Sequence, residues 1–496
     1  MKNYLDIKDI YQLFEKVQKS EIFEDQKTMT DVIPRHPIND IVELYEKSKD
    51  LPDFILKDFV VEHFIISENL EVDFQIQKNS LSIDEHIEKL WNELTRVAPE
   101  SKGTLLMIPK PYIVPGGRFN EFFYWDSYFV MLGLQTSGRQ EMMYNIVENC
   151  SYLIHTFGFV PNASRSYFLS RSQPPYFSLM LDLIFETTND INIYIRYFET
   201  MQKEYEFWMD GSEELSNGIV LKRVLKTDSG DVLNRYYDDE NKPRPESYMM
   251  DVNDSKTSEN PEFFRNIRAA CESGWDFSSR WFRDGENIQT IYTLDLAQVD
   301  LNCLLWHLEN TLSKTAKLID RPDLGKKYGE LAVQRKINIQ KYFWDDTVGL
   351  YKDYDFKNGK ITSSEHIAAL YPLFFGIAEH HQAEYIAENL MNKFLKPGGL
   401  VTTTKESGQQ WDFPNAWAPY QWIGFTAMKN YGFDDIASAI NKNWCSNVER
   451  VYENTGKLME KYNAMDIHSI AGGGEYPNQD GFGWTNGVYS KLKVSK

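Results

Sequence analysis

Ser82-Ile-Asp-Glu-His-Ile-Glu-Lys-Leu-Trp-Asn-Glu-Leu-Thr-Arg-Val97 carries the pattern on which the fold turns. Ser82 followed by Glu85 is a capping box, in which each residue satisfies a backbone N–H that the first helical turn would otherwise leave unpaired. Beyond it, Ile87, Leu90, Trp91, Leu94 and Val97 fall on one stripe of a helix, a face that must be buried against another element. The same period recurs outward in both directions. Upstream, Ile7, Ile10, Tyr11, Phe14 and Val17 share a face between Asp6 and Lys19. Downstream, helices are expected from about 125 to 134, over 176–210, 286–317, 321–342, 364–375, 380–393 and 434–452, and from 485 onward. In the 380–393 segment the face is Ala383, Ile386, Ala387, Leu390 and Met391.

Between the helices lie long loops rich in aromatic and charged residues. Ile108 to Tyr112, the segment from Pro115 up to the helix at about Trp125, Gly158 to Asn162, Ser170 to Pro175, residues 225–260, Trp344 to Tyr354 and Gln410 to Pro419 are of this kind. Few segments alternate as strands do, and no Gly/Ser-rich linker divides the chain. The pattern predicts one all-α domain over residues 1–496, built of antiparallel helix pairs with the loops gathered at one end. Residues 1–80 are expected to be an N-terminal extension packed on it.

The chain has 496 residues and a formal net charge of −20. Such an acidic balance argues against a nucleic-acid partner and against docking on anionic lipid. No run of about 18 apolar residues is present, and the N-terminus has no apolar signal core, so a cytoplasmic, non-membrane protein is the expectation. Nothing in the sequence asks for a partner chain, and a monomer is expected. Asn162-Ala-Ser164 is taken as an accidental glycosylation sequon. Cys150, Cys271, Cys303 and Cys445 form no metal-binding or disulfide spacing. His380-His381 with Glu384 lacks a third ligand, so no metal is assigned. There is no phosphate-binding loop, dinucleotide fingerprint or nucleophile elbow, and no cofactor is expected.

Two carboxyls stand out. Asp276, in Glu272-Ser-Gly-Trp-Asp-Phe-Ser-Ser-Arg-Trp281, sits among rings, and desolvation there would keep it protonated as a general acid. Glu460, in Met459-Glu-Lys-Tyr462, is the candidate partner. Lys461 could help hold it ionised, although neighbours in sequence often point to different sides. Arg118, Arg171, Arg244 and Arg280 all fall in loop segments, where a guanidinium can donate to sugar hydroxyls or orient a carboxylate.

Taken together, Pro115-Gly-Gly-Arg-Phe-Asn-Glu-Phe-Phe-Tyr-Trp-Asp-Ser-Tyr128, Gln410 to Pro419 and Gly472-Gly-Gly-Glu-Tyr-Pro-Asn-Gln-Asp-Gly-Phe-Gly-Trp-Thr-Asn-Gly487 resemble the hallmark segments of the trehalase family of glycoside hydrolases. Glu24 to Thr28 and Val299 to Asn302 are similar to family segments as well, so the resemblance spans about residues 20–490. It implies an (α/α)6 toroid that hydrolyses α,α-trehalose to two glucoses with inversion, with Asp276 as acid and Glu460 as base. It further implies sugar contacts from Arg118, Trp125, Asp126, Asn162, Arg171, Ser172, Gln173, Arg244, Pro245, Glu246, Gly274 and Glu475. The sequence departs from the family pattern at Phe123, where a Tyr is usual, and at Asn463, where an Asp is common. Ile470-Ala471 makes the glycine run shorter than in many members.

Overall fold

The computed structural model describes residues 4–66, 81–469 and 471–495. The expectations that touch residues 67–80 of the extension, or Ile470, lie outside the described residues. The capping box forms as expected: Glu85 N donates to Ser82 Oγ at 3.3 Å and Ser82 N donates to the Glu85 carboxylate at 2.8 Å. The helix it opens, Ile83–Glu93, buries Ile87, Leu90 and Trp91. It stops short of Val97. Thr95–Ala98 pairs instead with Ile108–Ile113, and the register shifts between Arg96 and Ala98, where Val97 is left 68% exposed. The β-branched Thr95, opposite Ile113, suits that ladder better than another helical turn.

Six helical segments form a closed inner ring: Tyr124–Thr136, Phe177–Thr188, Val299–Leu318, Tyr371–Phe374, Ala418–Asn430 and Gly483–Val494. Each packs on the next, and the last packs on the first. A second set, Ile83–Glu93, Gln140–Phe157, Phe198–Trp208, Pro322–Phe343, His380–Asn389 and Asp434–Thr455, alternates with the first along the chain. This is the (α/α)6 toroid. The sequence explains which helix goes where. Tyr124–Thr136 is buried without interruption from Tyr124 to Leu134, and a helix apolar on every side belongs inside. Pro322–Phe343 buries Tyr328, Ala332 and Ile339 but leaves Val333 and Ile337 exposed.

The ring closes where Gly483–Val494 meets Tyr124–Thr136. A Cβ on Gly487 would lie 2.0 Å from the carbonyl oxygen of Phe129, and one on Gly133 would lie 2.6 Å from the Gly487 Cα. Only glycine permits this backbone contact.

Several boundaries differ from expectation. The helix expected from 286 begins only at Val299. Before it, Tyr292 N donates to Trp281 O and Leu294 N to Asn266 Oδ1, so loop partners take the bonds that a helix would need. The segment expected over 364–375 is helical only from Ile367 to Phe374, because His366 bridges to Thr403 and Ile367 N donates to Thr402 O. The 380–393 helix widens into a π turn at Leu390–Phe394, and Met391 leaves the buried face. Trp344–Asp345 pairs with Leu350–Tyr351 as a small hairpin, and the loop-rich 225–260 region contains a helix, Tyr248–Ser255.

In the N-terminal region, Ile7, Ile10, Phe14, Val17, Ile41 and Phe59 join a second apolar cluster that also includes Ala163, Tyr167, Phe168 and Tyr248 from the toroid loops. No described helix is long and apolar enough to cross a membrane.

Candidate active site

All of the site residues named from the sequence, except Ser172, Pro245 and Arg280, line one cavity at the loop-bearing end. Ser172 points its hydroxyl at the Val160 carbonyl, 2.7 Å away, and its N–H at Glu272, so it braces the wall from behind. Pro245 opens the short 3-10 turn between Arg244 and Ser247, and its carbonyl accepts from Gln18.

Asp276 follows the helix Phe263–Glu272, which stops before Gly274. That glycine has φ +80°, and a Cβ there would lie 2.8 Å from the Trp125 ring. The resulting turn lays Trp275 flat against Trp411, with centroids 5.4 Å apart at 14°, and Trp411 stacks in turn on Trp417 at 3.9 Å and 3°. Asp276 therefore opens into a cavity walled by Trp125, Trp411, Trp417 and Trp484. Burial, reinforced by the Glu475 charge, pushes its carboxyl up to about 7, with Arg244 pulling the other way.

Glu460 reaches the cavity from just before the strand Lys461–Asn463, which pairs with Asn415–Trp417. It is 2% exposed. Its Oε1 accepts from the Tyr476 hydroxyl at 2.9 Å, while Oε2 has no hydrogen-bond partner in the protein. Burial raises its pKa, and Lys461, the Tyr476 hydrogen bond and Arg118 offset part of that rise. Asp126, in the first turn of its helix, is held far above the usual carboxylate range by burial and then by the charges of Glu460 and Asp276.

Three of the four arginines face the cavity, each preset by acidic partners. Arg118 pairs in a fork with Asp25 at 2.7 and 3.1 Å and lies over the Tyr476 ring. Arg171 donates to Asn162 and Glu246, both at 2.8 Å. Arg244 bridges Asp251 and Glu475, each at 2.6 Å. Arg171 and its arginine neighbours outweigh burial at Glu246 and keep that carboxylate ionised. Arg280 does not reach the cavity. It is fully buried between Asp300 and Asp353, lies over the Trp275 and Trp281 rings, and supports the Asp276 turn from below.

Gln173 Oε1 accepts from Trp125 N at 3.1 Å and so fixes the entry to the first inner helix. Phe123 joins Phe119 and Phe168 in a wall without hydroxyls, and Asn463 Oδ1 accepts from Met465 N and Asp466 N in a turn. Sequence reasoning overlooked Asp25 and Lys27, which bring the N-terminal segment to the cavity, and Tyr476, which touches Glu460. The only signal for the first two was the short Glu24–Thr28 segment. No three His, Cys, Asp or Glu side chains among the described residues gather in a way that could hold a metal ion.

The family model described as Trehalase matches residues 3–493. The chain belongs to the trehalase family. It is 42% identical over 485 residues to a protein from Escherichia coli O45:K1 named periplasmic trehalase, covering 97% of this chain and 85% of that one. A protein of the same name from Shigella flexneri serotype 5b is likewise 42% identical over 485 residues. Among solved structures, neutral trehalase from Saccharomyces cerevisiae aligns at 27% identity and TM-score 0.63 over 77% of this chain and 73% of that one. A mannosylglycerate hydrolase from Thermus thermophilus shares the fold at 15% identity and TM-score 0.56, covering 83% of this chain and 100% of that one. The cytoplasmic location expected from the sequence is overturned by the periplasmic names of these family relatives.

Proposed function

We propose that this protein hydrolyses α,α-trehalose to two molecules of glucose by a single inverting displacement. The observation that carries the reading is the pairing of two unlike carboxyls on one arginine- and tryptophan-lined cavity in a chain of this family. Asp276 is half protonated near neutral pH and can donate to the bridging oxygen. Glu460 keeps one oxygen free of partners in the protein, the atom that would take the proton from the attacking water. Inversion requires the two carboxyls to flank the bond with room for that water, about 6.5–9.5 Å apart. Arg118, Arg171 and Arg244 would donate to the sugar hydroxyls, and the indole walls would cover the apolar ring faces. The periplasmic names of the relatives support a location outside the cytoplasm, and cell fractionation tests it. A monomer working without a partner chain remains our reading of the assembly, tested by light scattering.

The direct test of the activity is incubation of the purified protein with trehalose. Two glucoses should appear per disaccharide consumed, at a rate indifferent to added phosphate. Trehalose bound without glucose release, or a phosphate-dependent rate, would replace hydrolysis with another reading.

The two pKa directions also fix the pH dependence. Activity needs Glu460 charged, so it is lost as pH falls through a pKa held above the ordinary glutamate value. It needs Asp276 protonated, so it is lost as pH rises through about 7. Replacing Glu475 by Gln removes a negative neighbour and lowers the Asp276 pKa. The alkaline limb of kcat should then move to lower pH, whatever happens to KM. A limb that stays in place would separate Asp276 from that limb.

A further inference from the structure

Lys461 is a cation that touches the Gln410 loop and the glycine turn before Glu475, two segments that border the cavity described above. It is 1% exposed, although it is a lysine on a strand next to Glu460. Its Nζ donates to Gln410 Oε1 at 2.7 Å and to the Gly473 carbonyl at 3.2 Å, and it lies 5.4 Å from both the Trp417 and Tyr476 ring centroids. Gln410 uses its other end to donate to the Asp276 carbonyl. Gly473 lies in the glycine turn that carries Glu475 to Arg244 and Tyr476 to Glu460.

We propose that Lys461 is a positioning residue: its buried ammonium ties the Glu460 strand, the Asp276 loop and the Gly472–Glu475 turn into one register. The proposal rests on the reading of Asp276 and Glu460 as acid and base. The charge donates to Gln410, whose other end holds the Asp276 carbonyl, and to Gly473 on the turn. An apolar side chain of the same length would leave Gln410 Oε1 and the Gly473 carbonyl buried and unpaired, a cost that the loops can relieve only by moving apart.

The same charge has an electrostatic consequence. Glu460 is faced by Lys461 and Arg118, by the Tyr476 hydroxyl, and by the carboxyl of Asp126, while Asp276 shares Lys461 and Tyr476 with it. Among these, Lys461 gives the strongest pull toward the ionised form. Burial pushes the lysine pKa down, and Glu460 and Asp276 pull it back up, so cation and carboxylates stabilise one another.

The test compares Lys461→Met, Lys461→Arg and Gln410→Ala. Lys461→Met should lose about 10- to 100-fold in kcat, the scale of a misplacement near 1 Å at a reacting centre. Its acid limb should move to higher pH, and amide exchange at residues 472–475 should quicken. Lys461→Arg should restore the acid limb, because the charge remains. Gln410→Ala keeps the cation and cuts the tie, so it should lower kcat and leave the acid limb in place. It carries the test if Lys461→Met does not fold. A Lys461→Met enzyme with wild-type kcat and an unmoved acid limb, or unchanged exchange in both Lys461→Met and Gln410→Ala, overturns the proposal. Amide exchange needs no substrate: if the wild-type protein does not hydrolyse trehalose, the functional reading fails while exchange still decides whether Lys461 pins the turn.

Discussion

Replacing Asp276 by Asn is expected to lower kcat on trehalose at least about 100-fold, the low end of what a positioned general acid contributes. The amide is nearly isosteric, and Trp275 stacked on Trp411, the Gln410 hydrogen bond to the Asp276 carbonyl and the Arg280 support below would still shape the turn. The loss would therefore reflect a missing proton and not a collapsed wall. A substrate whose leaving group needs no proton separates the two causes. With α-glucosyl fluoride, fluoride departs unprotonated, so the Asn variant should recover most of the wild-type rate. Equal loss on both substrates would mean that Asp276 only shapes the cavity, and a wild-type rate on trehalose would remove it from the reaction.

Replacing Glu460 by Gln should cost at least about as much, and the fluoride should not rescue it, because water still has to be activated. The amide at that position would keep an acceptor for the Tyr476 hydroxyl but could not take a proton. Trehalose should still bind, since Arg118, Arg171 and Arg244 keep their acidic partners. Calorimetry that finds tight binding beside a collapsed kcat supports a base. Rescue by the fluoride would instead assign Glu460 to leaving-group departure and reverse the two roles.

Much of the toroid was legible because its helices announce themselves locally. The capping box at Ser82 and the unbroken buried run of Tyr124–Leu134 need little tertiary context to be read. Boundaries failed where distant partners take over the backbone. Nothing near Tyr292 or Leu294 reveals that Trp281 and Asn266 hold their N–H groups, and nothing near Val97 reveals the strand Ile108–Ile113 across from it.

The cavity was legible for a different reason. Its residues sit in long motifs whose order is distinctive, so Arg118, Arg171, Arg244 and the two carboxyls could be named together. Charge alone, however, did not distinguish a wall arginine from a buttress. Arg280 looks like the other three in sequence, yet Asp300 and Asp353 enclose it completely. Asp25 and Lys461 show the converse. One lies far upstream in an unremarkable segment, and the other was discounted as a neighbour of Glu460, because only the folded chain shows that Arg118 and Gln410 await them.

The central claim is that water attacks one face of the sugar while a proton reaches the oxygen on the other. Proton NMR of the first products, recorded before mutarotation mixes the anomers, tests it directly. A single inverting displacement on α,α-trehalose releases one β-glucose from the attacked ring and one α-glucose from the leaving ring, so equal amounts of the two anomers are expected. Two equivalents of α-glucose would mean retention through a second displacement, and would contradict the arrangement of Asp276 and Glu460 as acid and base.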